Sequence, residues 1–224
     1  MSKRTFQQAN GSGLPLIIAV SGKIGCGKDY TTENFLIPTL EQYGIKNCSR
    51  MAFADHIKIN VASQRGIPIE ECLVSQKSPE LRRALQIVGT EQGRDLHGPE
   101  IWVQTLENWI RLRAIREESL GAVMVTDCRF PNEAAWVEKN GGLLIRVNAP
   151  SRNALGLDQA CLGDTDVRAS VANHRSETAL DNYEFKHVVQ NEPGDDAEKN
   201  IKEIVEQYFS SFKDTPAKKR KTTN

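Results

Sequence analysis

The stretch Gly22–Asp29, GKIGCGKD, constrains the fold more than any other part of this chain. It follows the apolar run 14–20, which indicates a buried strand, and it precedes a segment of helical character. A strand, a glycine-rich loop, a lysine and a helix in this order are typical of a phosphate-binding loop. Backbone N–H groups of such a loop and the N-terminus of its helix bind a polyphosphate. The sequence therefore predicts a phosphate site at the edge of a parallel sheet.

Two residues of this loop carry charge toward the expected ligand. Lys28 would place its ammonium at the β- and γ-phosphates. Asp29 stands where Ser or Thr usually binds Mg²⁺, and a carboxylate is also a hard oxygen ligand. The alternative is a glycine-rich turn with a surface lysine. The residues expected to bind the polyphosphate-bearing ligand are Gly22, Gly25, Cys26, Gly27, Lys28, Asp29 and Tyr30.

Composition restricts the classes of partner. The chain has 224 residues, 39% hydrophobic and 26% charged, with a formal net charge of zero. These values are ordinary for a globular protein with one core. A net charge of zero provides no overall electrostatic attraction to nucleic acid or an anionic membrane. The N-terminus lacks an apolar signal core, and the five cysteines are widely spaced without a C-x-x-C pair. We expect a cytoplasmic protein with free thiols, no membrane partner and no nucleic-acid partner.

The chain alternates apolar strands with amphipathic helices. This alternation predicts a doubly wound α/β fold with a parallel sheet flanked by helices. Pro38 is expected to kink or shorten the first helix. Strands are predicted at 14–20, 48–54, 122–126, 143–147 and 187–190, and helices at 28–43, 55–64, 79–93, 99–116 and 196–212.

Two segments stand outside this alternation. Residues 151–175 are polar and poorly periodic, which in a compact domain indicates a functional or a disordered segment. Residues 213–224 contain the basic run 218–221 and are expected to be a disordered tail. Nuclear import or polyanion binding by that tail is left open. The predicted domain spans 1–212.

A second group of polar residues follows the predicted strand 122–126. Asp127, Arg129 and Glu133 come where ligands bind in open α/β sheets, at the carboxyl ends of strands. Asp127 could hold Mg²⁺ through water, Arg129 could clamp a phosphate, and Glu133 could hold a sugar hydroxyl or pair with Arg129. The alternative is an exposed loop with a surface salt bridge.

A third group lies between Arg82 and Trp102. Arg82, Arg83 and Arg94 with this tryptophan would suit a phosphorylated ligand with a flat ring. Alternatively, the arginines are solvated and Trp102 packs in the core, on the helix face of Leu106 and Trp109.

The chain resembles the deoxynucleoside monophosphate kinases of tailed bacteriophages. The resemblance lies in short segments that occur in the same order. These are SGKIGCGKD, AFADHIK, RRALQIVGT followed by IWV, TDCRFPNEAAW followed by GGLLIRV, HRSET and VVQNEPG.

The resemblance implies the nucleoside monophosphate kinase fold, with a parallel sheet, an acceptor-binding region and a lid at about 151–175. It implies transfer of the γ-phosphoryl group of ATP to a deoxynucleoside monophosphate, with Mg²⁺ as cofactor. The implied catalytic residues are Lys28, Arg83, Asp127 and Arg129, and the implied metal residues are Asp29 and Asp127. The implied acceptor residues are Lys58, Arg82, Arg83, Arg94, Trp102, Arg129 and Glu133, and Asn191 is expected near adenine.

Several questions stay open after this resemblance. Arg152, Arg168 and Arg175 are candidates for closing a lid over the γ-phosphate. The individual roles of the acceptor-side arginines, the identity of the acceptor and self-association into a homodimer are undecided. Animal phosphomevalonate kinases share the G-x-x-x-x-G-K-D loop, and a non-catalytic ATP-binding protein is the alternative outside the kinases.

Overall fold

The computed structural model describes residues 13–74, 77–117, 119–153, 155 and 170–213. Within them lies a five-stranded sheet in the order β2-β3-β1-β4-β5, and all neighbouring strands are parallel. The strands are β1 (Leu16–Ser21), β2 (Cys48–Met51), β3 (Ala122–Cys128), β4 (Leu143–Asn148) and β5 (His187–Gln190). The predicted parallel α/β sheet is confirmed.

Helices cover both faces of the sheet. The first helix, α1, consists of Lys28–Thr31, the π-helical turn Thr32–Leu36 and Ile37–Gln42. The others are α2 (Asp55–Arg65), α3 (Ile69–Leu73), α4 (Pro79–Gly89), α5 (Ile101–Arg116), α6 (Pro131–Lys139), α7 (Arg175–Thr178) and α8 (Ala197–Lys213). A π-helical turn, Thr90–Arg94, and a short helix, Asp95–His97, extend α4. The short helix α3 was not predicted.

Successive strand residues point to opposite faces of the sheet and build two cores. On one face, Ile17 and Val123 pack among buried side chains of α2, α4, α5 and α6. On the other face, Ile18 and Met124 pack with α1 and α8. Because β1 and β3 are buried on both faces, their sequences are continuous apolar runs.

Strand β2 is shorter than the predicted strand 48–54. Residues 52–54 form a turn, because their N–H groups bind carboxylates instead of a neighbouring strand. Asp55 accepts from Ala52 N (2.8 Å), and Asp127 accepts from Phe53 N (3.0 Å) and Ala54 N (2.9 Å).

Pro38 does not shorten the first helix, which reaches Gln42. The irregularity is instead the π-helical turn just before it, in which Ile37 N bonds to Thr32 O. This wider turn lies directly before Pro38, whose missing N–H cannot join a regular helical ladder.

One residue that was predicted on the core face of α5 is exposed. Trp102, Leu106 and Ile110 are buried as expected, but Trp109 is 46% exposed. The buried face of α5 therefore excludes Trp109, because the side chains of Trp109 and Ile110 point about 100° apart around the helix axis.

The two neighbouring residues of α5 give a test of this packing. Ile110→Ala should lower the free energy of unfolding by about 2–5 kcal/mol, because it leaves a cavity in a close-packed core. Trp109→Ala should cost less than about 1 kcal/mol, because much of its ring already contacts water. Urea denaturation of both variants measures the difference, and equal losses would contradict this arrangement of α5.

Candidate active site

A cavity of about 730 Å³ opens at the carboxyl ends of β1, β2 and β3. Its walls come from the loop after β1, the turn between β2 and α2, helix α4, the end of β3 and residues 174–177. Ligands of open α/β proteins bind at this edge of the sheet. The cavity therefore brings together parts of all three groups of residues singled out by the sequence.

The loop between β1 and α1 has the shape that a phosphate site needs. Gly22 and Gly27 have φ angles of 152° and 85°, a region that side-chain-bearing residues rarely adopt. A Cβ atom on Gly22 would lie 2.5 Å from Val147 O. Lys28 Nζ folds back over this loop and donates to Gly22 O (2.8 Å) and Lys23 O (2.9 Å). The Lys28 ammonium is thus bound by the loop's own carbonyl groups, and helix α1 begins at the same residue.

The charge of Lys28 is poorly compensated. Burial lowers the pKa of its ammonium below the ordinary value, and the opposing effects of Cys26, Glu177 and Asp29 do not restore it. A bound polyphosphate would supply the missing negative charge. Of the other residues predicted around the donor, Cys26 is fully buried and Tyr30 is 57% exposed, and neither lines the cavity.

Asp29 reaches the cavity beside the loop. Its Oδ1 accepts from Thr126 Oγ1 (2.8 Å) and from Arg50 Nη2 (2.6 Å), and Arg50 also pairs with Glu33. The Asp29 side chain is 62% exposed. A carboxylate next to a hydroxyl fits Mg²⁺, which usually takes one or two protein oxygens and completes its shell with water and substrate phosphates. Within the described residues no cluster of three or more His, Cys, Asp or Glu forms an all-protein metal cage.

Asp127 holds a backbone turn at the end of β3. Its two oxygens accept the N–H groups of Phe53 and Ala54, so it holds the turn between β2 and α2 against the end of β3. Burial raises the pKa of Asp127, while these N–H groups and Lys58 act in the opposite direction. The structure therefore gives Asp127 a positioning role, and its outer-shell metal role stays a prediction.

Arg129 joins the end of β3 to helix α7. Its Nη1 pairs with Glu177 Oε1 and donates to Ser176 O (3.2 Å). The second oxygen of Glu177 accepts from Ile24 N in the phosphate loop (3.3 Å). Burial alone would lower the pKa of Arg129, but Glu177, Asp127 and Glu133 raise it above the ordinary value. Arg129 is thus a permanent cation that lines the same cavity as Lys28.

Glu133 pairs with Arg94 rather than with the Arg129 side chain. Its Oε1 accepts from Arg94 Nη2 (2.5 Å), and its Oε2 accepts from Arg129 N (2.7 Å) and Phe130 N (3.1 Å). Burial raises the pKa of Glu133 to about 7, although Arg94 opposes this change. With both oxygens occupied, Glu133 fixes the start of α6, and its predicted contact with a sugar hydroxyl is not supported.

Arg94 is itself held in a defined orientation. Its Nη1 donates to Gly89 O (3.0 Å), and its guanidinium lies 3.9 Å from the centre of the Phe130 ring. Trp102 Nε1 donates to the same carbonyl (2.7 Å), and a Cβ atom on Gly93 would lie 2.4 Å from Trp102 Cζ2. Trp102 is therefore a buried wall behind the cavity, which corrects its predicted contact with the acceptor.

The two arginines of the 82–83 pair separate. Arg82 and Lys58 line the cavity, and Lys58 Nζ lies 3.1 Å from Asp55 Oδ1. Arg83 is exposed and does not line it. Arg82 lies three and four residues before Leu85 and Gln86, which also line the cavity, and residues at this spacing share one face of a helix. Arg83 lies outside this face. This placement corrects the predicted catalytic role of Arg83.

Asn191 reaches the phosphate loop rather than an open surface. Its side-chain Nδ2 donates to Cys26 O (2.9 Å). Its backbone O accepts from Arg152, whose guanidinium lies close to Gly27. Arg175 Nη1 lies 3.6 Å from Asp95 Oδ1, away from the loop. Residues 154 and 156–169, which include Arg168, and the tail 214–224 lie outside the described residues.

The predicted site residues omit several polar residues of the cavity, among them Arg50, Thr126 and Glu177. Thr126 ends the predicted strand 122–126, so the rule that selected Asp127 could have found it. Arg50 lies within the predicted strand 48–54 and comes near a carboxyl end only because β2 stops at Met51. Glu177 belongs to the segment HRSET of the resemblance, but its contacts could not be predicted because its partners Ile24 and Arg129 lie 153 and 48 residues away.

No family model matches the chain. A 62-residue stretch is 37% identical to the deoxynucleoside-5'-monophosphate kinase of Escherichia phage T5, covering 28% of this chain and 23% of that protein. The chain thus aligns with less than a quarter of this relative's length. None of the described helices is long and apolar enough to cross a membrane.

Two solved structures are distantly similar to this chain. Shikimate kinase from Aquifex aeolicus is 11% identical with a TM-score of 0.42, over 89% of this chain and 100% of that one. TT1252 from Thermus thermophilus is 18% identical with a TM-score of 0.46, over 88% of this chain and 97% of that one. The fold is defined by the sheet described above and not by these distant matches.

The buried pair of Arg94 and Glu133 leads to a prediction of stability. Glu133→Gln should lower the free energy of unfolding by about 3–5 kcal/mol, because it leaves the Arg94 charge buried without its partner. The control is Glu198→Gln, since Glu198 pairs with Lys202 at the surface. It should cost less than about 1 kcal/mol. Chemical denaturation of the two variants is the measurement, and a small loss in Glu133→Gln would mean that the pair is not needed.

Proposed function

We propose that the protein transfers the γ-phosphoryl group of ATP to the 5'-phosphate of a deoxynucleoside monophosphate. The observation that carries this proposal is that one cavity is lined both by the phosphate loop and by a second set of basic side chains. A donor and an acceptor phosphate each need such positive surroundings. The 62-residue similarity to a phage kinase of this kind supports the same conclusion.

On the donor side, the loop amides and Lys28 would bind the phosphates of ATP. Lys28 would exchange its two carbonyl contacts for phosphate oxygens and neutralise charge as the γ-group leaves. Asp29, with Thr126 beside it, would hold Mg²⁺, which neutralises the phosphates when bound. Arg152 and Asn191 lie by Gly27, which favours them for the nucleoside end of the donor.

On the acceptor side, Lys58 and Arg82 would hold the 5'-phosphate, and Arg129 would bridge it to the transferred group. The acceptor nucleophile is an ionised phosphate oxygen, so no general base is required. Orientation of the two phosphates and neutralisation of their charge would supply most of the rate enhancement.

The cavity favours a nucleotide over a phosphomevalonate acceptor. Besides its cations it is lined by Phe130, Leu85, Gln86 and Thr90. An aromatic ring and an aliphatic side chain suit the faces of a flat base, and the amide and hydroxyl suit its polar edge. Phosphomevalonate has no ring and would leave these groups without a partner.

A coupled assay of ADP formation tests this function. With ATP and Mg²⁺, at least one deoxynucleoside monophosphate should be phosphorylated, and mevalonate 5-phosphate should not. Lys28→Ala should lower kcat/KM by about 100-fold or more, the scale of losing a preorganised charge. Lys202→Ala, a surface lysine remote from the cavity, is the matched control and should keep the wild-type rate. Turnover of mevalonate 5-phosphate alone, or an unchanged rate in Lys28→Ala, would refute the proposal.

The role of Asp29 predicts a specific change in metal dependence. Asp29→Asn should raise the Mg²⁺ concentration for half-maximal rate about tenfold or more, because an amide is a weaker ligand than a carboxylate. Glu33→Gln is the control, since Glu33 shares Arg50 with Asp29 but does not line the cavity. If both variants keep the wild-type metal requirement, Asp29 does not bind the metal.

A further inference from the structure

Glu177 places a carboxylate directly on the phosphate loop. One of its oxygens accepts the backbone N–H of Ile24 at 3.3 Å, and the other pairs with Arg129. The side chain is only 8% exposed. The contact spans 153 residues of sequence, so it is made by the tertiary fold and not by local chain geometry.

The position of this carboxylate is unusual for the chemistry of the loop. The N–H groups of a phosphate loop point toward a bound anion, and together with Lys28 and Arg129 they form a strongly positive region. The Glu177 carboxylate supplies this region with an anion from the protein itself. It satisfies a loop N–H and an arginine at once, as an oxygen-rich phosphate group would.

A second contact between the same two segments behaves differently. Asp181, four residues after Glu177 and beyond the end of α7, pairs with the Lys23 side chain at 2.7 Å. Both of these side chains are substantially exposed, at 33% and 40%, and neither touches the loop amide or Arg129. Asp181 therefore fastens the segment to the loop without occupying an anion-binding group, which makes it a matched control for Glu177.

We infer that Glu177 is an internal substitute for the terminal phosphate of the donor, which a bound triphosphate displaces. This inference rests on the proposed function, because it assigns the displaced place to the donor polyphosphate. When the triphosphate takes the Ile24 N–H and Arg129, the Glu177 carboxylate has to leave. Donor binding is then coupled to release of residues 175–181 from the phosphate loop.

Polyphosphate binding gives the direct test. The dissociation constants of inorganic tripolyphosphate and of ATP with Mg²⁺ are measured by titration calorimetry for the wild type, Glu177→Gln and Asp181→Asn. Removing the internal competitor should tighten binding of both ligands by about 10-fold in Glu177→Gln, the size of one charge-assisted contact. Asp181→Asn removes the same charge nearby and should stay within about twofold of wild type.

Unchanged or weaker binding in a folded Glu177→Gln variant would overturn the inference, as would equal tightening in Asp181→Asn. The wild-type protein offers a second measurement that does not depend on folding of a variant. Saturating tripolyphosphate should speed amide hydrogen exchange in 175–181, and slower exchange there would overturn the inference. If the affinity shift is observed but no acceptor is phosphorylated, the proposed function fails while the displacement by polyphosphate stands.

Discussion

The buried Asp127 carboxylate is the contact on which the shape of the cavity depends. It stands at the carboxyl end of β3 and takes both of its hydrogen bonds from the turn that follows β2. This turn ends the edge strand early and directs the chain into α2, which carries Lys58. Without the carboxylate, two backbone N–H groups at this turn would lose their partners, at a cost of about 1–3 kcal/mol each. One side chain thus sets the distance between the sheet and the wall of the cavity that α2 provides.

Charge compensation is the second organising feature of the site. Arg94 pairs with Glu133, Arg50 with Asp29 and Arg129 with Glu177, and each pair joins two different elements of the fold. The pairs differ in exposure, since the first is almost completely buried and the second faces water. The buried pair fixes the walls, because breaking it would leave an uncompensated charge. The exposed pair of Arg50 and Asp29 is accessible to solvent, so its groups can exchange partners at little cost, while the pair of Arg129 and Glu177 lies between these two extremes of exposure.

The sequence predicted the strands at the centre of the sheet and the phosphate loop, because both are encoded locally. A strand buried on two faces must be apolar throughout, and a phosphate loop needs glycine and lysine at fixed spacing. The sequence was a poorer guide to the direction in which individual side chains point. Arg82 and Arg83 are equivalent in composition, yet only the helical phase of α4 shows that the first faces the cavity. Trp102 had two open interpretations, and the π-helical turn that brings Gly93 against its ring could not be inferred from composition.

The link between Asn191 and the phosphate loop has a consequence for the order in which the site forms. The loop is near the start of the chain, but Asn191 reaches its Cys26 carbonyl across 165 residues, from the segment just after the last strand. Contacts of such long sequence separation form late, since the intervening chain must first be ordered. During synthesis from the N-terminus, the loop leaves the ribosome long before the residue that braces it. A nascent chain that ends before Asn191 therefore lacks this brace on the Cys26 carbonyl, and the loop reaches its final arrangement only after β5 has been synthesised.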